Sequence, residues 1–297
     1  MLAPVIALQD YIDQTKIIWN AQGDQPTPSS QAAFELASFP RRESIATAYT
    51  QAITVFEAAA DYSMALVETL TEPGLSFAPW LCARSVVESG ALATWLWDTK
   101  INTRQRVQRS LAFRHEGLLQ QMKLARASRG YLDQTKTKKR LEDVELLALE
   151  LGMATKKEKN GIKRIVLEVE MPSVTQVISD VFQKEEDYRM LSAIVHGHQW
   201  AIQAFALRLV KEGQDIFPGV KGGYLEKHLE YSHISFLCVE AITSISHAVL
   251  MKFKLFGLDI RLLVFAYNKA IGQIDVSRHQ APTREAKNEV ERLIEGT

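Results

Sequence analysis

Cysteine is scarce in this chain, and its scarcity excludes two classes of protein. Cys82 and Cys238 are the only two among 297 residues, and each lies far from the other inside an apolar run. Two such cysteines form neither the disulfide framework of a small secreted protein nor the ligand spacing of a metal site. We therefore expect a reduced, cytoplasmic protein that carries no metal and no other cofactor.

The chain also lacks the apolar segments by which proteins enter or cross membranes. Its first residues, MLAPVIALQDYIDQTKII, contain no basic leader followed by a long apolar run and a small-residue cleavage site. No stretch reaches about 18 uncharged apolar residues, the length that a membrane-spanning helix needs. We expect no secretory signal and no membrane partner.

No internal repeat and no alternating strand pattern is visible, so helical spacing decides the fold class. It predicts an all-α fold, a multi-helix bundle in a single domain over 1–274, followed by a polar tail over 275–297. The predicted helices cover 3–20, 41–70, 77–98, 103–128, 185–211, 224–256 and 259–271, with a further one capped by Ser173. The charge-dense stretch 131–165 predicts a peripheral, mobile, helical insertion. The glycine-rich stretch 212–223 matches neither a P-loop nor a dinucleotide fingerprint, and we interpret it as a connector.

The formal net charge is zero, but the charge is unevenly distributed along the chain. Residues 100–140 contain twelve Lys and Arg against two acidic residues, Glu116 and Asp133. A solvated helix face accounts for such a run, and so does a surface that binds a polyanion such as RNA. The basic residues that we assign to possible RNA contacts are Arg104, Arg106, Arg109, Arg114, Lys138, Lys139 and Arg140.

A line of polar residues runs through the otherwise apolar stretch 185–211. Arg189, Ser192, His196, Gln199 and Gln203 follow one another at steps of three and four, which is the spacing of one helical stripe. On an ideal helix Arg189 and His196 lie within roughly 20° of each other and about 10 Å apart along the axis. The pattern therefore predicts a mostly buried helix whose polar seam needs partners or a function.

A second polar pair interrupts the apolar stretch 77–98. Arg84 and Glu88 are four residues apart, so they share a face of the predicted helix. They form either a plain intrahelical ion pair or a second polar layer that faces Arg189 and His196.

The pattern Arg189, six residues, His196 resembles the signature of HEPN-type proteins, an all-helical bacterial superfamily rich in toxin and defence ribonucleases. The Arg84-Ser-x-x-Glu88 helix upstream of it is similar to an uncharacterised group of such proteins. The resemblance implies a symmetric homodimer that cleaves RNA without metal and leaves a 2′,3′-cyclic phosphate, alongside an antitoxin-like partner protein. His196 would then be the general acid or base and Arg189 would hold the phosphate, supported by Ser192, Arg84, Glu88 and Gln199. Met190 departs from the signature, which usually has Asn or Asp at that position, so an inactive member is also compatible with it.

A second hypothesis belongs to another class of protein. The same side chains would form a buried polar network, or a nucleotide-binding site, in a helical binding or scaffold protein without catalytic activity. A metal site is disfavoured, since His196 and His198 are two residues apart and would point about 200° away from each other on a helix.

Overall fold

Helix makes up most of the chain in the computed structural model, which describes residues 2–71, 74–128, 134–159, 162–217 and 220–274. The all-α class is therefore confirmed. The helices are α1 (Ala3–Gln22), α2 (Gln31–Ser38), α3 (Arg42–Leu70), α4 (Ala78–Trp97), α5 (Thr103–Ala127), α6 (Gln134–Glu150), α7 (Val174–Phe182), α8 (Glu185–Val195), α9 (Gln199–Phe205), α10 (Tyr231–Phe256) and α11 (Arg261–Gln273). Two antiparallel hairpins complete the described part, β1 (Ala154–Lys159) with β2 (Ile162–Leu167) and β3 (Leu207–Phe217) with β4 (Val220–Lys227). The predicted tail lies outside the described residues.

The central helix of the fold is α10, which packs against α1, α2, α3, α4 and α11. It is long and apolar enough to cross a bilayer, but 94% of its most apolar window is buried inside the fold. Helix α4 approaches it closely at Gly90, where an added Cβ would lie 3.0 Å from the carbonyl oxygen of Ser244. A side chain at that position would push the two helices apart.

The expectation of one continuous helix over 185–211 is wrong. Helix α8 ends at Val195, and Gly197 follows in the left-handed conformation with φ +75°. The N–H of Gly197 donates to the carbonyl of Ile194 at 3.1 Å, and that of His198 to Ala193 at 3.0 Å, which together are a Schellman motif. Only glycine adopts this conformation without strain, so one residue overrides the helical spacing on both sides of it.

The insertion over 131–165 contains the expected helix and turn near Gly152, but the strand hairpin that follows was not expected. Helix α6 ends at Glu150, and Gly152 turns the chain at φ +64° into the hairpin of β1 and β2. Ala154 of β1 pairs with Leu167 of β2, and the N–H of Glu168 donates to Met153 at 3.0 Å. Residues 212–217 and 220–223 of the predicted connector belong to strands β3 and β4. Helix α10 therefore begins seven residues later than predicted, at Tyr231.

A fully buried ion pair joins α2 to α5. Nε and Nη2 of Arg106 donate to the two carboxylate oxygens of Glu35 at 2.7 and 3.2 Å, and Arg106 is 0% exposed. The remaining guanidinium donors reach the carbonyls of Leu96 and Asp98, and Tyr49 donates its hydroxyl to Glu35 at 2.6 Å. Bidentate geometry and complete hydrogen bonding are the conditions under which a buried ion pair holds elements in register.

We predict that Arg106→Met lowers the free energy of unfolding by about 3–5 kcal/mol, because it leaves the Glu35 carboxylate buried without its counter-charge. Arg126→Met is the matched control, since Arg126 is an exposed arginine on the same helix, and we expect it to cost less than about 1 kcal/mol. Urea unfolding followed by circular dichroism measures both. Equal costs for the two variants would show that the pair does not stabilise the junction of α2 with α5.

A buried histidine lies on α10 beside a second buried ion pair. His247 is 2% exposed, packs edge-on against Phe182, and its Nε2 has no hydrogen-bond partner among the described residues. Burial first, and the charge of Lys184 second, lower the pKa of His247 to about 3. Lys184 itself pairs with Glu240 at 2.7 Å.

This depressed pKa makes the stability of the fold pH-dependent. In the unfolded chain histidine takes up a proton near pH 6.5, whereas folded His247 does not until about pH 3, so stability is complete above pH 6.5 and falls as the pH is lowered towards 3. The free energy of unfolding of the wild-type protein should fall between pH 6.5 and pH 4.5, and we predict that His247→Leu makes this fall smaller by roughly 1–3 kcal/mol. Urea unfolding at several pH values checks this, with the exposed His198→Leu as control. A wild-type pH profile in His247→Leu would contradict the prediction.

Candidate functional site

The candidate site lies where α8 packs against α4. It consists of Arg84, Glu88, Tyr188 and His196, which we call the α4–α8 cluster. Nε of Arg84 donates to Oε1 of Glu88 at 2.8 Å, and the Tyr188 hydroxyl donates to the same oxygen at 2.8 Å. Nη1 of Arg84 is 3.2 Å from Nε2 of His196. Arg84 and Glu88 therefore form the intrahelical ion pair, and Arg84 also meets His196, but the second polar layer does not include Arg189.

Burial and the neighbouring groups together determine the pKa values of Arg84 and Tyr188 in the cluster. The side chains of Arg84 and Glu88 are 18% and 28% exposed, and the guanidinium lies 5.7 Å from the centre of the Tyr188 ring. Burial alone lowers the pKa of Arg84, but the charge of Glu88 and the hydrogen bonds with Tyr188 and Glu88 outweigh it, so the pKa is raised in net. Burial and then the hydrogen bond to Glu88 raise the pKa of Tyr188. Arg84 is thus a permanent cation, and Tyr188 a neutral hydrogen-bond donor.

The contact between Arg84 and His196 defines the roles of the two groups. A guanidinium has only donors, so Nε2 of His196 accepts the hydrogen bond in this arrangement. The tautomer that the contact requires carries its hydrogen on Nδ1. His196 is exposed, so an incoming ligand can reach the ring.

Arg189 takes no part in this cluster. Its guanidinium binds Glu185 one turn earlier, with Nε at 2.7 Å and Nη2 at 2.6 Å from Oε1, and its side chain is 68% exposed. His196 caps the C-terminus of α8 and leaves the helical stripe there, so the predicted pairing of Arg189 with His196 is not formed. Arg84 occupies the place beside the histidine that the sequence assigned to Arg189.

The rest of the predicted seam is not continuous. Ser192 is half-buried on α8, whereas Gln199 and Gln203 are exposed on α9. The expectation of one buried polar line is wrong, because the turn at Gly197 reorients the second half of the stretch.

The predicted basic residues have different environments. Assigning Arg106 to RNA contact is wrong, since it is fully buried against Glu35. Arg109 is anchored by Asp98 at 3.2 Å and by the ring of Trp95, and Arg104 reaches Glu168 at 3.1 Å and the carbonyl of Gly152. Arg114 lines a cleft of 340 Å³ with Arg41 and Ser44. Lys138, Lys139 and Arg140 are exposed on α6.

Sequence reasoning missed two members of these networks. Tyr188 stands next to the proposed motif, but nothing local predicts that its hydroxyl reaches Glu88, 100 residues away. Glu35 is the lone acidic residue of the apolar helix α2, and a single charge in such a helix is the signal that could have marked it as a buried partner.

Two further observations bear on the chemistry of the chain. Within the described ranges no three His, Cys, Asp or Glu residues lie close enough to hold a metal ion. No family model, no curated protein and no solved structure matches the chain.

We predict that Glu88→Gln lowers the free energy of unfolding by about 1–3 kcal/mol, because Arg84 and Tyr188 lose the charged acceptor that they share. Glu185→Gln removes the exposed carboxylate that binds Arg189, and its cost should stay below about 1 kcal/mol. Urea unfolding at neutral pH compares the two variants. A larger effect of Glu185→Gln would mean that the exposed pair, and not the α4–α8 cluster, ties α8 into the fold.

Proposed function

We propose that the protein is a metal-independent endoribonuclease in which His196 and Arg84 act together on the RNA phosphodiester. The observation that carries the proposal is the exposed imidazole of His196 at 3.2 Å from an anchored guanidinium. Histidine has a reference pKa near 6.5 and suits proton transfer at neutral pH, and arginine stabilises the charge of a phosphorane-like transition state.

The first step follows from the hydrogen bond between the two residues. A phosphate oxygen replaces Nε2 of His196 as the acceptor for Nη1 of Arg84, so the lone pair of Nε2 becomes free. Nε2 then takes the proton of the ribose 2′-hydroxyl, whose oxygen attacks the neighbouring phosphorus. The bond to the 5′-oxygen breaks, and this oxygen takes a proton from solvent water as it leaves, while the imidazolium of His196 returns its proton to the solvent. The products are a 2′,3′-cyclic phosphate and a 5′-hydroxyl.

Glu88 and Tyr188 are positioning residues in this scheme. Glu88 binds the Nε edge of Arg84 and leaves the Nη1 edge for the phosphate. The exposed residues Lys138, Lys139 and Arg140 supply contacts to the RNA backbone. The HEPN resemblance adds a symmetric homodimer, a cytoplasmic location and a toxin or phage-defence setting with an antitoxin-like partner, all as parts of the proposal.

One observation favours the second candidate, a binding or scaffold protein without catalysis. Glu88 neutralises Arg84 and also accepts from Tyr188, so most of the cluster is already satisfied without a ligand. In that case the network fixes the register of α8 on α4, or its Arg84 edge holds the phosphate of a nucleotide.

We predict that the wild-type protein cleaves single-stranded RNA in the presence of EDTA, and that His196→Ala and Arg84→Ala reduce the rate by about 100-fold or more. Arg189→Ala and His198→Ala should stay within a few-fold of wild type, because neither residue belongs to the cluster. Gel analysis of a labelled RNA pool, with chemical identification of the product ends, measures this.

Circular dichroism must first establish that all four variants are folded. If folded wild-type protein cleaves nothing while Arg84→Ala lowers the melting temperature, the cluster is structural. If Arg189→Ala abolishes cleavage and Arg84→Ala does not, the pairing expected from the sequence acts in catalysis and the present assignment is wrong.

A further inference from the structure

A cleft of 410 Å³ opens between α1 and α3, away from the residues of the α4–α8 cluster. We call it the α1–α3 cleft. Its floor is apolar and includes Ile12, Phe56 and Ile245, while the half-buried Trp19 and Ala60 also line it. Its volume lies within the range of about 300–1,000 Å³ that small-molecule sites occupy.

Trp19 is held in place on several sides. Its ring stacks on Phe56 at 5.0 Å with an interplanar angle of 4°. Nζ of Lys252 lies 3.2 Å from the centre of the Trp19 ring and donates to Oδ1 of Asp24 at 2.8 Å. Trp19 is therefore an ordered part of the wall that need not rearrange before an apolar molecule binds.

The rim of the cleft has an excess of negative charge. Asp24, Glu57 and Asp61 line it together with one cation, Lys16. The hydrogen bond from Lys252 is the main cause that lowers the pKa of Asp24, so this carboxylate stays ionised. Counting the rim cation Lys16 and the buried Lys252 against the three carboxylates leaves a net charge of −1 at the cleft.

The carboxylates of Glu57 and Asp61 are available to a ligand. Glu57 and Asp61 are one helical turn apart on α3, so they present their charges on the same face. Both side chains are exposed, and within the part of the chain that the structure describes neither makes a hydrogen bond or an ion pair.

A buried hydroxyl in the same cleft also lacks a partner. Thr15 is 5% exposed, and its Oγ1 makes no hydrogen bond among the described residues. The Tyr11 hydroxyl donates to Oγ of Ser246 at 2.6 Å, and its weaker interaction with Thr15 does not meet hydrogen-bond geometry. An unsatisfied buried polar group costs free energy, and a ligand that donates to it recovers that cost.

We propose that the α1–α3 cleft binds a small amphipathic organic cation, with its apolar body on the floor and its ammonium group at the rim. The edge of the Trp19 ring and the side chains of Phe56 and Ile12 cover the apolar body. The ammonium group faces Glu57 and Asp61, and a donor on the deeper part of the ligand reaches Oγ1 of Thr15. An anion of the same size is repelled by the two free carboxylates, and an inorganic metal ion gains nothing from the apolar floor.

The test titrates the full chain with tryptamine, a monocation at neutral pH, by isothermal calorimetry. Indole-3-propionate serves as the anion of similar size. We expect tryptamine to bind one site per chain with a Kd below about 1 mM, and indole-3-propionate to show no saturable binding. Raising the salt concentration to 0.5 M should weaken the binding of tryptamine.

Two pairs of variants locate the binding. Glu57→Gln with Asp61→Asn should weaken tryptamine by roughly three- to tenfold, whereas Glu68→Gln, an exposed carboxylate on the same helix outside the cleft, should leave the Kd unchanged. Ala60→Phe fills the cleft and should abolish binding, while Ala46→Phe, an exposed alanine of α3 outside the cleft, should not.

Circular dichroism checks that the variants are folded. If Ala60→Phe does not fold, the Glu57→Gln with Asp61→Asn variant and its Glu68→Gln control decide the result. No binding of tryptamine up to 5 mM, equal binding of indole-3-propionate, or unchanged binding in the Glu57 and Asp61 variant would each overturn the proposal. Because these variants leave the α4–α8 cluster intact, the outcome does not depend on RNA cleavage.

Discussion

The burial of α10 is the constraint on which the rest of the structure depends. A helix of 26 residues that is this apolar must be covered on nearly every side, and α1, α2, α3, α4 and α11 together do so. Two of its charged residues are matched from outside the helix: Glu240 by Lys184, and Lys252 by Asp24 and the ring of Trp19. Hydrophobic burial therefore gathers the helices, while the polar contacts specify which helix lies where and in which register.

Those parts of the fold that depend on local spacing could be predicted from the sequence. Five helices, α1, α3, α4, α5 and α11, begin and end within two residues of the predicted bounds, and Asn102 and Ser173 cap α5 and α7 through their side chains. Helix α2, the two hairpins and the break after Val195 were not predicted. Helical spacing does not predict the hairpins, because strand pairing depends on residues of the partner strand. It does not predict the break after Val195 either, because the left-handed Gly197 outweighs the apolar periodicity around it.

Three of the four residues of the α4–α8 cluster were identified from the sequence, and the contact of Arg84 with His196 was one of two alternatives. Arg84, Glu88 and His196 were all identified, yet the contact of Arg84 with His196 spans 112 positions and that of Arg106 with Glu35 spans 71. Sequence shows which charges need a partner, because it shows which of them sit in apolar segments, but the partner is chosen by packing between helices. The same limit explains why a run of basic residues was interpreted as a surface although Arg106 lies entirely inside the fold.

The pairing that packing selects also has an energetic consequence for binding. Arg189 is exposed and bound only to a neighbour on its own helix, so an anion that recruits it must first order a long side chain. Arg84 is already held by Glu88, and the planar guanidinium lets one edge be anchored while the other meets the ligand. The conformational entropy of the Arg84 side chain is therefore lost during folding and not during binding. Glu88 partly neutralises the charge of Arg84, but it also fixes the direction of its side chain. In the proposed reaction, a phosphate that displaces His196 from Nη1 would form a charge-assisted hydrogen bond to an arginine that is already ordered.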